Sequence, residues 1–137
     1  AQLADLRLRF VSIGDPASVP AGRYARAWLE ARGLWSRLAA RILPAVDARA
    51  AVAAVASGGA EAGIVYRTDA ALSGSVRLVH EVPPAEGPRI VYPLVVLAGR
   101  PHEPAARAFA EFLASPAAGI AFEERGFLFL PSPTRQR

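Results

Sequence analysis

The groups in this sequence that could bind a ligand are backbone amides next to small residues, rather than ionisable side chains. Pro16 and Pro20 stiffen the approach to a run of helix-forming residues, which opens with the small residues Ala21 and Gly22. The first N–H groups of a helix have no partner within the helix, and the helix dipole adds about half a positive charge there. Because Ala21 and Gly22 have almost no side chain, an anion could touch these N–H groups directly. The segment therefore predicts an anion site made from the backbone.

A second helix start of the same kind follows in the chain. Asp47 is predicted to be the N-cap of a helix, which places the small residue Ala48 in the first turn. Tyr66 ends an apolar run and could donate a hydrogen bond through its hydroxyl. In an open α/β sheet, such positions collect at the carboxyl ends of the strands, where ligands bind. Ala21, Ala48 and Tyr66 could therefore converge on one anion.

These features also have purely structural explanations. Most helix N-termini bind only water or a capping side chain, and a tyrosine at the end of an apolar strand is often a core residue. Asp15 precedes a proline and is predicted to be a turn residue that could also brace the anion loop. Ser12 and Ser18 lie near the same loop, and neither is assigned a role.

No catalytic constellation is recognisable. The sequence has no Cys, and its two histidines, His80 and His102, have no second ligand at metal spacing. It contains neither a Gly-x-Ser-x-Gly motif nor a phosphate-binding Gly-Lys-Ser/Thr loop. The 16 basic residues are all Arg and are scattered along a chain of net charge +4, so we do not expect nucleic-acid binding. No apolar run reaches the roughly 20 residues needed to span a bilayer, and no signal peptide is visible.

The elements that position the candidate residues alternate between strands and helices. Strands are predicted over 6–15, 61–66 and 76–82, helices over 23–32 and 46–59, and a short helical turn followed by a strand over 34–45. This alternation predicts an α/β fold with a mostly parallel sheet flanked by helices.

A connection rich in Pro and Gly, residues 83–89, divides the chain. After it we predict a strand over 90–99, a helix over 103–115, a second helix over 115–127 and a frayed tail over 130–137. The expected organisation is an anion-binding α/β lobe over 1–84 and a segment over 85–137 that belongs to a second body.

Three segments resemble the second lobe of the molybdate-binding proteins of ABC importers. They are IGDPASVPAGRYARAWLEARGLW, GIVYRTDA and AFAEFLASPAAGIAFEERGF, and the similarity runs in order from about residue 9 to residue 127. The resemblance implies a periplasmic-binding-protein fold of type II, in which two α/β lobes close on the anion. The contacts that it implies are the backbone N–H groups of Ala21 and Ala48 and the hydroxyl of Tyr66. The supporting residues are Asp15, Pro20, Gly22 and Asp47.

The sequence departs from the family in one large respect. The family's first lobe, which supplies two serine hydroxyls to the anion, has no counterpart here, and residues 90–127 resemble the segment that returns to that lobe. The resemblance implies a periplasmic or extracytoplasmic binding component that works with an ABC permease of the inner membrane. It also implies that the ligand is molybdate or tungstate, that the protein has no cofactor and that it is not an enzyme. Left uncovered, residues 90–127 are expected to drive self-association.

Two other functions are weighed against this one. The same fold is used as the effector-sensing domain of some transcriptional regulators, and the sequence upstream of this chain would distinguish the two. A hydrolase of similar α/β build would need a nucleophile–base pair, which the sequence does not show.

Overall fold

The computed structural model describes residues 8–130. The chain divides into two compact units at the bond between Arg89 and Ile90. We call the described residues 8–89 the first unit and 90–130 the second unit. The predicted assignment of 85–137 to a separate lobe stays a prediction, and the predictions for residues 6–7 and 131–137 lie outside the described residues.

A parallel sheet of three strands forms the centre of the first unit. The strands are β1 (Val11–Gly14), β2 (Ile42–Ala45) and β3 (Ala62–Ile64), in the order β2-β1-β3. All four residues of β1 are buried, as expected for the central strand of a sheet covered on both faces. The predicted parallel α/β sheet is confirmed, although each strand is shorter than its apolar run.

Four helices surround this sheet. They are α1 (Pro20–Ala31), α2 (Trp35–Leu38), which continues into a 3-10 turn at Ala39–Arg41, α3 (Ala48–Ala56) and α4 (Arg67–Ala71). The predicted stops are confirmed, because Gly33 and Gly58 adopt φ values of 65° and 78° in the left-handed region that favours glycine. The start of α1 lies three residues before the predicted one, at Pro20 in the first helical position, where proline is favoured.

The hydrophobic core lies between β1 and α1. Val11 and Ile13 point to one face of the sheet, where they pack with residues of α1 and α2. That cluster also contains Ala25, Trp28, Leu29 and Leu38. Ser12, which is fully buried, points to the opposite face, where α3 contributes Ala51 and Val52 to the buried residues.

Two predicted strands are wrong. Neither 76–82 nor 90–99 pairs with another strand in the described residues. A strand needs a hydrogen-bonded neighbour, and the sequence cannot tell whether that neighbour is present. The alternation within 76–82 is nevertheless real, because His80 packs its ring 6.3 Å from that of Trp28 and Val82 packs on the core.

The second unit consists of a non-helical segment and two helices, α5 (Glu103–Leu113) and α6 (Pro116–Glu124). Both helices were predicted. The predicted cap of α6 is confirmed, since the Ser115 hydroxyl accepts a hydrogen bond from the Ala118 N–H and Pro116 occupies the first helical position. Of the described residues in this unit, only Ala118 and Gly119 are buried.

Within the described residues, no helix is both long and apolar enough to cross a membrane.

Candidate anion-binding site

The candidate site lies at the carboxyl edge of the parallel sheet. In the register of the sheet, Gly14 lies beside Ala45 and Ile13 beside Ile64, so the three strands end together. The Asp15 N–H extends the β1–β2 pairing by donating to the Ala45 carbonyl at 2.8 Å. The chain therefore leaves all three strands at one edge, and the three predicted contact residues follow at that edge.

The loop between β1 and α1 is held by Asp15. The Asp15 carboxylate accepts hydrogen bonds from the Ala17 N–H and from the Ser18 hydroxyl, both at 2.9 Å. The Asp15 backbone carbonyl accepts two more hydrogen bonds, from the N–H groups of Ser18 and Val19, at 3.2 and 2.8 Å. The two bonds to the carboxylate, first the one from the Ala17 N–H and then the one from the Ser18 hydroxyl, lower the pKa of the Asp15 carboxyl below its usual value. The Asp15 side chain therefore holds this loop together, and its role in supporting an anion stays a prediction.

The first turn of α1 lies directly on the end of β1. A Cβ atom at Gly22 would overlap the carbonyl oxygen of Gly14, and it would lie 2.7 Å from the carbonyl carbon of Asp15. A Cβ atom at Gly14 would lie 2.7 Å from the Val19 side chain and 3.1 Å from the Gly22 nitrogen. Sequence reasoning gave Gly22 the role of admitting a ligand. The structure adds a packing role, which the pair of glycines in the sequence could have signalled.

The N-terminus of α1 is not capped by a side chain. Val19 occupies the N-cap position and Pro20, which has no N–H, is the first helical residue. Ala21 is only 6% exposed, and its methyl group belongs to the buried core. The Ala21 methyl group is therefore not available to a ligand, and the predicted contact through its backbone N–H stays a prediction.

The N-terminus of α3 has the predicted cap. The Asp47 carboxylate accepts the Ala50 N–H at 2.7 Å, and the Asp47 backbone is extended, with φ −159° and ψ 178°. Because this cap engages Ala50, it does not use the N–H of Ala48, the first residue of the helix. The next residue, Arg49, places its Nε 4.0 Å from the Asp69 carboxylate of α4.

Tyr66 is the N-cap residue of α4, two residues beyond the end of β3. Its carbonyl accepts hydrogen bonds from the N–H groups of Asp69 and Ala70, at 3.1 and 3.2 Å. Sequence reasoning missed α4, because a helix of five residues shows no periodicity. The Asp-containing run after Tyr66 was the available signal, since an acidic residue favours the first turn of a helix.

The strand order gives this edge its significance. In open sheets that begin with the order 2-1-3, the chain leaves β1 and β3 toward opposite faces, and ligands bind in the crevice between these strand ends. Here that crevice is bordered by the start of α1 on one side and by Tyr66 on the other. Neighbouring strands are about 4.8 Å apart, so the start of α3 follows one strand further along the same edge.

The described residues show no group of three or more metal-binding side chains. Two shallow grooves run along α4, with volumes near 170 and 270 Å³, and neither is lined by the residues that open α1. At the carboxyl edge of the sheet, the described residues therefore place two helix starts, those of α1 and α3, and Tyr66.

Comparison with known proteins defines the family. Residues 1–128 match the family model described as "Bacterial extracellular solute-binding protein". This chain therefore belongs to the bacterial extracellular solute-binding proteins.

Its relatives include proteins named for molybdate. The chain is 37% identical over 117 residues to the Escherichia coli molybdate-binding protein ModA, and 38% identical over 123 residues to ModA of Haemophilus influenzae. It is also 37% identical to a putative ABC transporter substrate-binding lipoprotein, YvgL, of Bacillus subtilis. These matches cover 85–89% of this chain but 45–48% of the relatives, so the chain spans about half of their length.

Solved structures agree with this assignment. The substrate-binding domain of a putative molybdenum ABC transporter from Clostridium difficile matches with a TM-score of 0.82 and 30% identity, over 93% of this chain and 56% of that one. The periplasmic molybdate-binding protein of Azotobacter vinelandii matches with a TM-score of 0.76 and 25% identity, over 95% of this chain and 58% of that one. The predicted fold and the predicted resemblance are both confirmed.

Proposed function

We propose that the first unit is the anion-binding lobe of a molybdate- or tungstate-binding component of an ABC importer. In this proposal the backbone N–H groups of Ala21 and Ala48 and the hydroxyl of Tyr66 bind the oxyanion. Asp15, Pro20, Gly22 and Asp47 hold those groups in place. The protein binds and delivers its ligand outside the cytoplasm to a membrane permease, with no cofactor and no chemical step.

The observation that carries this proposal is the shared carboxyl edge of β1, β2 and β3. Each of the three strands is followed by one proposed contact residue, Ala21 after β1, Ala48 after β2 and Tyr66 after β3. Two of these residues lie in the first turn of a helix, where unpaired N–H groups and the helix dipole favour an anion. Neutral donors suit a tetrahedral dianion, because each oxygen can accept several short hydrogen bonds without a fixed counter-charge.

The ionisable side chains at this edge support the same conclusion. The Asp15 carboxylate is hydrogen-bonded within its own loop, and Asp47 is hydrogen-bonded as a helix cap. Arg49 faces Asp69 at 4.0 Å, and Arg67 lies 3.2 Å from Glu81. Because these charges face one another or the backbone, an anion at the edge would depend on dipoles for its binding energy.

The names of the matched relatives also support an importer component. Each describes a binding protein or domain for molybdate or molybdenum, or a substrate-binding lipoprotein of an ABC transporter. The alternative of a sensing domain in a transcriptional regulator has no support among them, so we do not propose it.

A titration of the ¹⁵N-labelled chain with sodium molybdate, followed by NMR, tests the proposal. We expect the largest amide shifts at Ala21, Gly22 and Ala48, and we expect the same set of residues to respond to tungstate. By resemblance, the unmatched lobe of the relatives contributes two hydroxyl donors, each worth about 1.5–3 kcal/mol to a charged ligand. The chain alone should therefore bind about two to four decades more weakly than a two-lobed relative.

Tyr66→Phe provides the matched test of the side-chain contact. It removes only the hydroxyl, and Tyr24→Phe makes the same change at a half-buried tyrosine within α1. We expect Tyr66→Phe to weaken molybdate binding and Tyr24→Phe to leave it unchanged. Shifts spread over exposed arginines, or equal effects of the two substitutions, would show that the edge of the sheet is not the site.

A further inference from the structure

Helix α4 is short and contributes no residue to the hydrophobic core. It has five residues, Arg67–Ala71, and none of them is buried. A helix of this length is not stable by itself, because its few hydrogen bonds do not offset the cost of nucleation. The position of α4, and of the Tyr66 residue that caps it, therefore depends on contacts with neighbouring elements.

One of these contacts joins α4 to α3 through opposite charges. The Nε atom of Arg49 lies 4.0 Å from the Asp69 carboxylate. The Asp69 side chain is only 17% exposed and that of Arg49 is 84% exposed, so the guanidinium group meets a carboxylate that is held against the protein. The two side chains line the same groove of about 170 Å³, together with Val52, Leu72 and Ser73. The ion pair therefore lies across a groove between α3 and α4.

Each partner of this ion pair lies close in the chain to a proposed anion contact. Arg49 follows Ala48 directly in α3, and Asp69 lies three residues after Tyr66. The Asp69 N–H also donates to the Tyr66 carbonyl at 3.1 Å, so a displacement of Asp69 would move Tyr66 with it. Through these short steps, the ion pair connects the contact residue that follows β2 with the one that follows β3.

The signs of the two charges matter beside an anion. A carboxylate repels an oxyanion and a guanidinium group attracts it. Because Arg49 and Asp69 face each other, their charges largely cancel at the edge of the sheet. The pair can therefore hold α3 and α4 together without attracting or repelling an anion through a net charge.

We propose that the ion pair between Arg49 and Asp69 is a positioning element that fixes the distance between the Ala48 N–H and the Tyr66 hydroxyl. This inference rests on the proposed function, in which those two groups bind the oxyanion, and it assigns neither charged side chain a contact with the anion. Arg49 holds Asp69, and Asp69 holds the first turn of α4. A site whose donors are already correctly spaced loses less conformational freedom when the ligand binds, so its affinity is higher.

Neutral substitutions of the two partners test this proposal. The affinity of the whole chain for molybdate is measured by NMR titration at physiological salt, where the charge of a single exposed residue is largely screened. We expect Arg49→Gln and Asp69→Asn each to weaken binding by about two- to fivefold, the range that one solvent-exposed ion pair supplies. The double variant should bind no more weakly than either single variant, because each single substitution already removes the whole interaction.

Three comparisons separate positioning from charge and from general stability. Arg26→Gln breaks an ion pair of 2.8 Å with Glu30 that lies within α1, and it should leave the affinity unchanged. Arg49→Lys, which keeps the positive charge, should retain most of the affinity. In a chain that carries Tyr66→Phe, Asp69→Asn should weaken binding no further, because the hydroxyl that Asp69 positions is already absent. Urea unfolding of each variant measures the stability separately from the affinity.

Three outcomes would overturn the proposal while the shifts of the Ala21 and Gly22 amides persist and the proposed function stands. If Asp69→Asn strengthens binding and Arg49→Gln weakens it, Arg49 attracts the anion directly. If both substitutions lower the free energy of unfolding but leave the affinity unchanged, the pair is only structural. If Asp69→Asn weakens binding equally with and without the Tyr66 hydroxyl, the pair does not act through that residue.

Failure of the proposed function has a different signature. In that case molybdate shifts no amide at the edge of the sheet in the original chain, and Tyr66→Phe has no effect on binding. That result would exclude this inference together with the site on which it rests.

Discussion

Replacing Gly22 with alanine adds one methyl group where the first turn of α1 lies on the end of β1. That methyl group would overlap the Gly14 carbonyl oxygen and approach the Asp15 carbonyl carbon to 2.7 Å. Both neighbours are backbone atoms, so no side-chain rotation can relieve the contact. Either α1 or the end of β1 must move.

Two effects of opposite sign decide how much Gly22→Ala changes the free energy of unfolding. Alanine in a helix is favoured over glycine by about 1 kcal/mol. Overpacking a closely packed site costs about 1–3 kcal/mol, occasionally more, and a rigid backbone neighbour places this site at the upper end. We therefore expect a net destabilisation of about 2 kcal/mol, which for a unit of this size lowers the melting temperature by about 8–16 °C.

Urea unfolding followed by tryptophan fluorescence measures this effect, because Trp28 is part of the core that α1 forms with β1. Gly74→Ala is the matched control, since nothing lies within 4 Å of its Cβ position and its φ is not positive. That substitution should be neutral or stabilise by about 0.4–1 kcal/mol. If Gly22→Ala is as stable as the original chain, the contact between α1 and β1 does not restrict this position and our account of the helix start is wrong.

Three further predictions follow from the site. Ala48→Pro should weaken molybdate binding by about 10- to 150-fold, because the loss of one donor to an anion costs about 1.5–3 kcal/mol. The helix α3 should persist, because proline suits the first helical position. Calorimetry of Ala48→Pro beside Ala48→Ser, which keeps the N–H, checks this, and equal affinities of the two variants would remove Ala48 from the site. Asp47→Ala should destabilise the chain by about 1 kcal/mol through loss of the Ala50 cap, measured by urea unfolding beside Asp47→Ser, which should restore most of the loss. Because hydrogen bonds lower the pKa of Asp15 below its ordinary value of 3.8, its carboxylate stabilises the fold above that value, and the contribution is lost as the pH falls through the folded-state pKa. The difference in melting temperature between the original chain and Asp15→Asn should therefore shrink on acidification, and a difference that is constant from neutral to acidic pH would exclude this linkage.

The features that the sequence predicted well depend on neighbours in the chain. Gly33 and Gly58 end helices because a left-handed residue is needed there, and Asp47 caps α3 through an N–H three residues later. Ser115 does the same for α6. Each of these contacts lies within one helical turn, so local residue types are sufficient to specify it.

The features that the sequence predicted poorly depend on distant partners. Residues 76–82 have the alternation of a strand, and two of their side chains, His80 and Val82, do pack toward the core of the first unit. They are nevertheless not a strand, because pairing requires a second chain segment at the right distance. The packing of Gly22 on Gly14 is another such case, since a glycine in a sequence signals a close approach without naming the atom approached.

The candidate site depends both on contacts between neighbours in the chain and on contacts between distant segments. The positions of Ala21, Ala48 and Tyr66 could be proposed from local signals, namely helix starts and a strand end, and a resemblance supported the same positions. Their common edge depends on the register between β1, β2 and β3, which is a property of the folded chain. A backbone-donor site tolerates many side chains at its contact residues but very few at the glycines that set the backbone in place. For this reason the Gly14–Gly22 contact, rather than the identity of Ala21 or Ala48, is the feature of the sequence on which the proposed anion site depends most directly.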